Sequence, residues 1–486
     1  MNLETTYVVF FGIIKNKIKE GAFMIRNVIS VLDGAAGSCG KAKVVGELAT
    51  DSTINVGAAI TNCMPNAGHT FVDSKGKSLV FRNIPVSIVN PNTELFIGPG
   101  SAIDMEVFKR EYEMAKPYLG DRKIYVHEMV PLICERHKEF ERAHIKSGST
   151  FKGCGAVSKE KLMRDPNLEF FKTYKNAVRC SNDEWLTRVH SHLDNIQEFV
   201  VLEGAQGCDL SLNFSGNYPY VTSRNVSTTQ LLSDSGLPAE SLLGTIMVMR
   251  PFPIRISNVT KSGELIYTGA YGRGDELNWS QINVSSILGT YPIKGDLEMY
   301  ATDAFQNKDY IFELLVSVDE VYLKQLFGSK ATYYIDHPEK VSFISACELE
   351  RLVCKGEKTY QSLLLDLPPI ERFYEDKGEQ YIPDLSEQTT VTKMERRVFD
   401  LDISKLKNNC RINHPYGLYL NFFQHLDYDF YHYKGMMDEV YFNKYIREYL
   451  RWLESETGCE IISLGTGAIN EERISKKKSL VRDLVA

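Results

Sequence analysis

The sequence has no CxxC pair, although ten cysteines are scattered from Cys39 to Cys459. Neither a zinc ribbon nor a disulfide scaffold is indicated, and the thiols read as reduced groups of a cytoplasmic protein. It has no long apolar run. The most hydrophobic stretch near the start, YVVFFGII, is too short to span a bilayer and follows an acidic rather than a basic leader. Residues 1–24 therefore read as an N-terminal extension, with Met24 as a possible second start. No excess of positive charge exists either. A net charge of -7 argues against broad nucleic-acid binding and leaves small anionic ligands as the better partners of local Lys and Arg clusters. Internal repeats and low-complexity segments are also missing. At 486 residues and 43% hydrophobic content, the chain is long and apolar enough for one large α/β domain with insertions, or for two to three ordinary domains.

From Ile25 to about Asn90, short apolar runs (VISVL, INVGAAI, SLVFRNI, VSIV) alternate with glycine or polar turns, the rhythm of strands and crossovers in a mostly parallel sheet. AIDMEVFKREYEMAKPYL has helical periodicity, KIYVHEMV reads as a strand, and KSGSTFKGCGAVSKEKLMRDP reads as a polar loop. EFVVLEGAQG is a strand entering a second glycine turn, and TTQLLSDSGLPAESLL is helical. Residues 284–381 change character, with stretches such as DYIFELLVSVDEVYLKQLF, and read as an inserted helical subdomain between a core of 25–283 and its continuation at 382–475. There GLYLNFFQHLD and CEIISLGTGAINEERI return to strands, and residues 476–486 form a basic tail.

Five stretches carry chemistry. VLDGAAGSCGKAK delivers glycines and then Lys41 to a helix start, as a phosphate loop does, but Ala42 stands where a P-loop has Ser or Thr. Alone it is equally a plain strand-to-helix turn. MPNAGHTFV holds His69 in a glycine loop, suited to donate to a phosphoryl oxygen, although a lone histidine is more often structural. EGAQGCDLSLNFSGNYPYVTSRN offers Gln206, Thr222, Ser223 and Arg224, which read a base and a phosphate or cap a loop. SGSTFKGCG followed by Arg164 is an anion grip or a solvated loop. TTVTKMERRV presents Arg396 and Arg397, whose planar forks suit a dicarboxylate or form a charged face.

In this order the five motifs resemble the adenylosuccinate synthetase family from about residue 28 to 475, with GSCGKAK for the GDEGKGK loop and intact NAGHT, EGAQG and YPYVTS. The likeness is greatest to the phage branch that makes 2-aminoadenylosuccinate, where serine stands at the catalytic aspartate position, here Ser38. The resemblance implies an α/β fold with a mostly parallel central sheet, similar to P-loop NTPases, and an ATP-dependent carbon–nitrogen ligase joining L-aspartate to dGMP through a 6-phosphoryl purine. It implies Ser38 and His69 as catalytic. ATP or dATP would be held by Ser38, Gly40, Lys41, Ala42, Lys43, Gly68, His69, Thr70, Gln206, Asn421, Gln424, Gly465 and Gly467, and Mg²⁺ by Ser38 and the Gly68 carbonyl. The dGMP site would comprise Ser38, Asn66, Ser149, Thr150, Gln206, Thr222 and Arg255, with Arg164 reaching across a homodimer; Thr390, Val391 and Arg396 would take L-aspartate. LNFFQHLD stands where GTP-using relatives have a carboxylate motif, and its amides favour adenine, while Asp427 keeps GTP open. Ala42, Met394 and Glu395 depart from the family pattern. Two rival readings are an IMP-using synthetase and a nucleotide-binding protein of reduced catalytic power.

Overall fold

The computed structural model describes residues 25–145, 149–261, 264–279, 282, 286, 372–376, 379–382, 385–388, 394–442, 444–477 and 479–481. In chain order the regular elements are β1 (Val28–Asp33), α1 (Lys41–Thr50), β2 (Val56–Thr61), β3 (His69–Val72), β4 (Ser78–Phe81), β5 (Glu94–Ile97), α2 (Met105–Leu119), β6 (Ile124–His127), α3 (Glu135–His144), α4 (Cys154–Met163), β7 (Ala177–Cys180), α5 (Asn182–Leu193), β8 (Phe199–Glu203), α6 (Thr228–Ser235) and β9 (Leu242–Met249). They continue with β10 (Ile254–Arg255), β11 (Val259–Lys261), β12 (Glu264–Ile266), β13 (Glu276–Leu277), β14 (Arg372–Asp376), β15 (Glu379–Ile382), β16 (Arg397–Phe399), α7 (Ile403–Asn413), β17 (Gly417–Leu420), β18 (Gly435–Met436), α8 (Lys444–Thr457), β19 (Ile461–Gly465) and β20 (Arg473–Ser475).

Among the described residues the main sheet has the order β18-β20-β19-β17-β9-β1-β8-β2-β5-β6-β7, and its neighbours run parallel except β19 with β20. The sequence explains this. VISVLD, VGAAIT and IISLG are buried at every position, as strands covered on both faces must be, and helices carry the chain back between them. On the two faces, clusters around Val31, Val44 and Leu48 and around Leu32, Trp185 and Leu202 form the packed core.

Because the central strands are parallel, their C-terminal ends share one edge. There β1 ends at Asp33, β2 at Thr61, β8 at Glu203, β9 at Met249, β17 at Leu420 and β19 at Gly465. The GSCGKAK, MPNAGHT, EGAQG, NFFQHLD and GTGAI loops leave from that edge, the usual ligand crevice of an open α/β sheet.

Three local expectations change. VSIV is a 3₁₀ turn (Val86–Val89), not a strand: Pro85 precedes it, and the Glu203 carboxylate takes the Val86 and Ser87 N–H groups that a ladder would need. Residues 154–163 form α4 rather than loop; Gly153 starts it in a left-handed conformation, and the helix has no amphipathic pattern to announce it. The TTQLLSDSGLPAESLL stretch is helical only over α6: Gly236 ends it in a left-handed conformation, and Leu242 and Leu243 already belong to β9, which lacks the polar alternation that marks strands. Of the expected helical insert at 284–381, most lies outside the described residues, and β14 and β15 at its end form a hairpin.

Candidate active site

The phosphate loop is templated by the last residue of β1. Asp33 is fully buried, and its carboxylate accepts from the N–H groups of Ala35 (3.0 Å), Gly37 (3.2 Å) and Cys39 (2.9 Å) and from the Cys39 thiol (3.1 Å). Lys41 Nζ, also buried, sits 3.3 Å from the same carboxylate and donates to the Gln206 carbonyl at 2.8 Å, which ties the EGAQG turn to the loop. Alternate amides are thereby consumed, and the N–H groups of Ala36, Ser38 and Gly40 keep no partner among the described residues. Helix α1 starts with no side-chain cap and no acidic residue in its first turn. Free amides, an uncapped helix start and a lysine fit a polyphosphate.

Gly40 is required here. Its φ is 82°, and a Cβ would lie 2.1 Å from Asn421 Nδ2. The Asn421 amide is wedged between Gly40 and Gly465, where a Cβ would fall 2.0 Å from its Oδ1, and it donates to the Cys39 carbonyl at 3.1 Å. Asn421 thus locks the base segment to the phosphate loop. Lys43 does the same from the other side: buried, with burial lowering its pKa to about 8, it donates to the carbonyls of Gly467 (2.8 Å) and Glu472. Gln424 lies buried two residues beyond Phe422, and its Oε1 has no hydrogen-bond partner among the described residues. Burial pushes the Asp427 carboxyl up to about 7.

His69 opens β3 and is buried against Cys63, Nε2 to Sγ 3.2 Å. Burial first, then the charges of Lys41 and Arg82, lower its pKa to about 3, so the ring is neutral at physiological pH and sits within reach of the field of Lys41. Asn66, Gly68 and Thr70 flank it at the surface of the same loop.

Ser38 is the meeting point. It adopts a left-handed backbone (φ 60°), its carbonyl accepts from Arg250 Nη1 at 3.2 Å, and its hydroxyl accepts from Arg396 Nη1 at 2.9 Å. Arg397, beside Arg396, is engaged elsewhere, with Nε 2.8 Å from the Glu276 carboxylate and Nη1 2.7 Å from the Gly269 carbonyl. Thr390 and Val391 lie outside the described residues. Arg255 is buried on β10 and donates to the Tyr220 carbonyl at 3.3 Å; burial lowers its pKa to about 10, and its Nε keeps no partner among the described residues. Arg224 is spent internally on the Gly100 carbonyl (2.7 Å), the Asn62 carbonyl and the Asp234 carboxylate. Thr222 is held by its N–H on the Leu210 carbonyl at 2.8 Å. Ser149 accepts from the Phe151 N–H at 3.2 Å, Thr150 is exposed, and Arg164 caps the end of α4 in the open, next to exposed Leu162 and Met163.

The structure therefore gathers Ser38, Gly40, Lys41, Lys43, His69, Gln206, Asn421, Gly465, Gly467 and Arg396 around one loop. Asp33 and Arg250, which hold this loop through its backbone, were passed over by the motif reading. A carboxylate ending an otherwise apolar strand before a glycine turn was the available signal for Asp33; none existed for Arg250. A magnesium site would have the exposed Gly68 carbonyl as a hard donor; the Ser38 hydroxyl is taken by Arg396 at 2.9 Å and would serve only once released, and the Asp33 carboxylate is already filled. Magnesium commonly takes one or two protein ligands with substrate phosphates and water, so a single carbonyl here is compatible with it.

Comparisons with known proteins agree with this fold. The sequence matches the Adenylosuccinate synthetase family profile over residues 31–172 and 165–276. It is 34% identical over 274 residues to the N6-succino-2-amino-2'-deoxyadenylate synthase of Vibrio phage phiVC8, covering 53% of this chain and 74% of that one. It is also 31% identical over 230 residues to the adenylosuccinate synthetase of Methanococcus aeolicus, covering 46% and 66%. Among solved structures, the succinoaminodeoxyadenylate synthetase of Cyanophage S-2L, bound to dGMP and to dATP as an energy donor, aligns over 95% of this chain and 99% of its own with a TM-score of 0.61 and 21% identity. The fully ligated adenylosuccinate synthetase of Plasmodium falciparum aligns over 93% and 100%, with a TM-score of 0.57 and 15% identity. With half its length matched by the family profile and its phosphate-loop edge assembled, the chain belongs to the adenylosuccinate synthetase family, a nucleotide-driven carbon–nitrogen ligase.

Proposed function

We propose that the chain condenses L-aspartate with dGMP at the expense of ATP or dATP, giving 2-amino-2'-deoxy-N6-succinyladenylate. The γ-phosphoryl group would pass to purine O6 as N1 loses its proton; the aspartate amine would then add at C6 and phosphate would leave. The observation that carries the reading is Ser38, a neutral hydroxyl on the phosphate loop where IMP-using relatives keep a carboxylate. A carboxylate there would crowd the 2-amino group beside N1, whereas a hydroxyl leaves room and hydrogen-bonds either way. Ser38 already accepts from the cationic Arg396, so a second acceptor role as proton-abstracting base is disfavoured, and its own hydrogen is free to be donated to the purine edge.

The amides of Ala36, Ser38 and Gly40 with Lys41 would hold the phosphates. Neutral His69 would donate to the transferring group, and Arg396 would take an L-aspartate carboxylate. Magnesium, when bound, would neutralise charge on the transferring phosphates. Buried Gln424, an amide with both a donor and an acceptor to match the adenine edge, supports adenine as the base. Exposed Leu162 and Met163 around Arg164 support a homodimer in which that arginine serves the neighbouring site.

The test is purified protein with Mg²⁺, L-aspartate and ATP or dATP, offered dGMP, GMP or IMP, with phosphate release and succinyl product followed. Product from dGMP is expected. Product from IMP but not dGMP would replace this reading with the IMP-using one, and bound nucleotide without product from any purine would favour a binding protein.

A further inference from the structure

Four residues from three separate chain segments close a ring beside the phosphate loop. Arg250 Nη1 donates to the Ser38 carbonyl (3.2 Å) and to Glu387 Oε2 (3.2 Å), while its Nη2 meets Glu387 Oε1. The Glu387 carbonyl accepts from the Arg396 N–H (2.7 Å), and Arg396 Nη1 returns to the Ser38 hydroxyl (2.9 Å). Gln388 and Glu395 pair as an antiparallel bridge, and Arg396 Nε donates to the Gln388 carbonyl at 3.3 Å, so Glu387 and Arg396 form the neck of one excursion of the chain. Arg250 itself is fully buried, with its guanidinium 4.1 Å from the ring centre of Phe422, the residue after Asn421.

Packing alone does not ask for this arrangement, because an apolar side chain would fill the space without the desolvation cost of a buried charge. The charges give it a purpose. Glu387 is near enough to Arg396 to act on it electrostatically, and a free carboxylate there would neutralise the guanidinium. Arg250 prevents that by occupying both Glu387 oxygens. Arg396 is left on a neutral hydroxyl, so an incoming carboxylate, which adds an opposite charge and can accept from two guanidinium prongs, can take it over without breaking an ion pair.

We infer that Arg250 is a positioning residue for L-aspartate capture: it sequesters Glu387, so that among the described residues Arg396 meets only the neutral Ser38 hydroxyl and the Gln388 carbonyl through its side chain, beside the edge where the purine reacts. This rests on the reading of Arg396 and Ser38 under Proposed function.

Arg250→Met should raise the KM for L-aspartate about tenfold or more, the weight of a charge-assisted hydrogen bond, because the freed Glu387 then competes for Arg396. The Kd for the triphosphate should stay within about twofold, since Arg250 touches only the Ser38 carbonyl of the phosphate loop. Arg250→Met combined with Glu387→Gln should recover most of the lost aspartate affinity, a rescue that a purely structural role would not give. An unshifted KM in folded Arg250→Met, or a double variant no better than the single one, overturns the inference. If Arg250→Met does not fold, Arg250→Lys with and without Glu387→Gln decides it by the same rescue. Wild-type turnover that does not depend on L-aspartate would instead overturn the assigned reaction, and the inference with it.

Discussion

Asp33 and Arg250 are both fully buried charges, one at the end of β1 and the other just past the end of its neighbour β9, and they are satisfied in opposite ways. Asp33 finds its partners within eight residues, from Ala35 to Lys41. Arg250 finds its partners 212 and 137 positions away, at Ser38 and Glu387. The first charge shapes a loop as the chain leaves the strand. The second joins loops that the chain brings together only when the sheet is complete. A local charge therefore fixes the geometry of one loop, and a distant one joins two separate segments.

The comparison is broken most directly by Asp33→Ala. It leaves the Lys41 ammonium buried without its counter-charge and three amides without an acceptor, so a loss of about 3–5 kcal/mol is expected, with triphosphate binding abolished. Chemical denaturation and calorimetric titration with ATP measure both. A fully folded, ATP-binding Asp33→Ala protein would show that the loop is held by its glycines instead. Gly40→Ala comes next. The left-handed backbone alone costs about 1–2 kcal/mol, and the added methyl displaces Asn421, so ATP affinity should fall by roughly tenfold while purine binding stays close to normal. Equal losses for both nucleotides would mean that Asn421 is not the lock between base segment and phosphate loop.

Ser38→Asp has a smaller effect on binding and a sharper one on preference. The new carboxylate would pair with Arg396, converting the 2.9 Å hydroxyl contact into an ion pair. The expected outcome is a KM for L-aspartate raised by about tenfold, the scale of one charge-assisted hydrogen bond, together with a dGMP to IMP rate ratio shifted towards IMP. An unchanged ratio sinks the steric account of the serine; an unchanged KM sinks its pairing with Arg396.

The same contrast explains what was legible in the sequence. The parallel core, the GSCGKAK loop with Lys41, NAGHT with His69 and EGAQG with Gln206 are contiguous stretches whose function lies in neighbouring residues, and they could be read in order. Lys43 and Asn421 stood out in their motifs but the contacts they make did not, since their partners, Gly467 and the Cys39 carbonyl, lie across the sheet edge. Arg396 and Arg397 look equivalent in TTVTKMERRV; only the fold gives one to Ser38 and the other to Glu276. The start of strand β9 and the extent of helix α4 were misread for a simpler reason: LLGTIMVM, buried only over its last five residues, has no polar alternation, and α4 has little hydrophobic asymmetry to report.

A third charge, half-buried, lies far from the strand-end loops and sharpens the comparison by separating charge pairing from function. His192, on α5, is held between two carboxylates, with Nδ1 2.6 Å from Glu198 and Nε2 2.8 Å from Glu94, which in turn binds Arg188 at 3.0 Å. Burial acts to lower its pKa, but the two acceptors outweigh it and the value is raised above 6.5. The folded state then holds a proton that the unfolded chain releases near 6.5, so the stabilisation is fully present below that pH and is lost as pH rises through the folded value. His192→Gln should therefore melt below the wild type at pH 6, and the gap should narrow by pH 9, with an effect of about 1 kcal/mol as befits a partly solvated cluster. Turnover should not change at either pH, because the cluster touches none of the loops at the strand ends. A melting gap that stays constant with pH would mean that His192 acts by packing alone, and the protonated histidine would drop out of the set of charges that hold this sheet together.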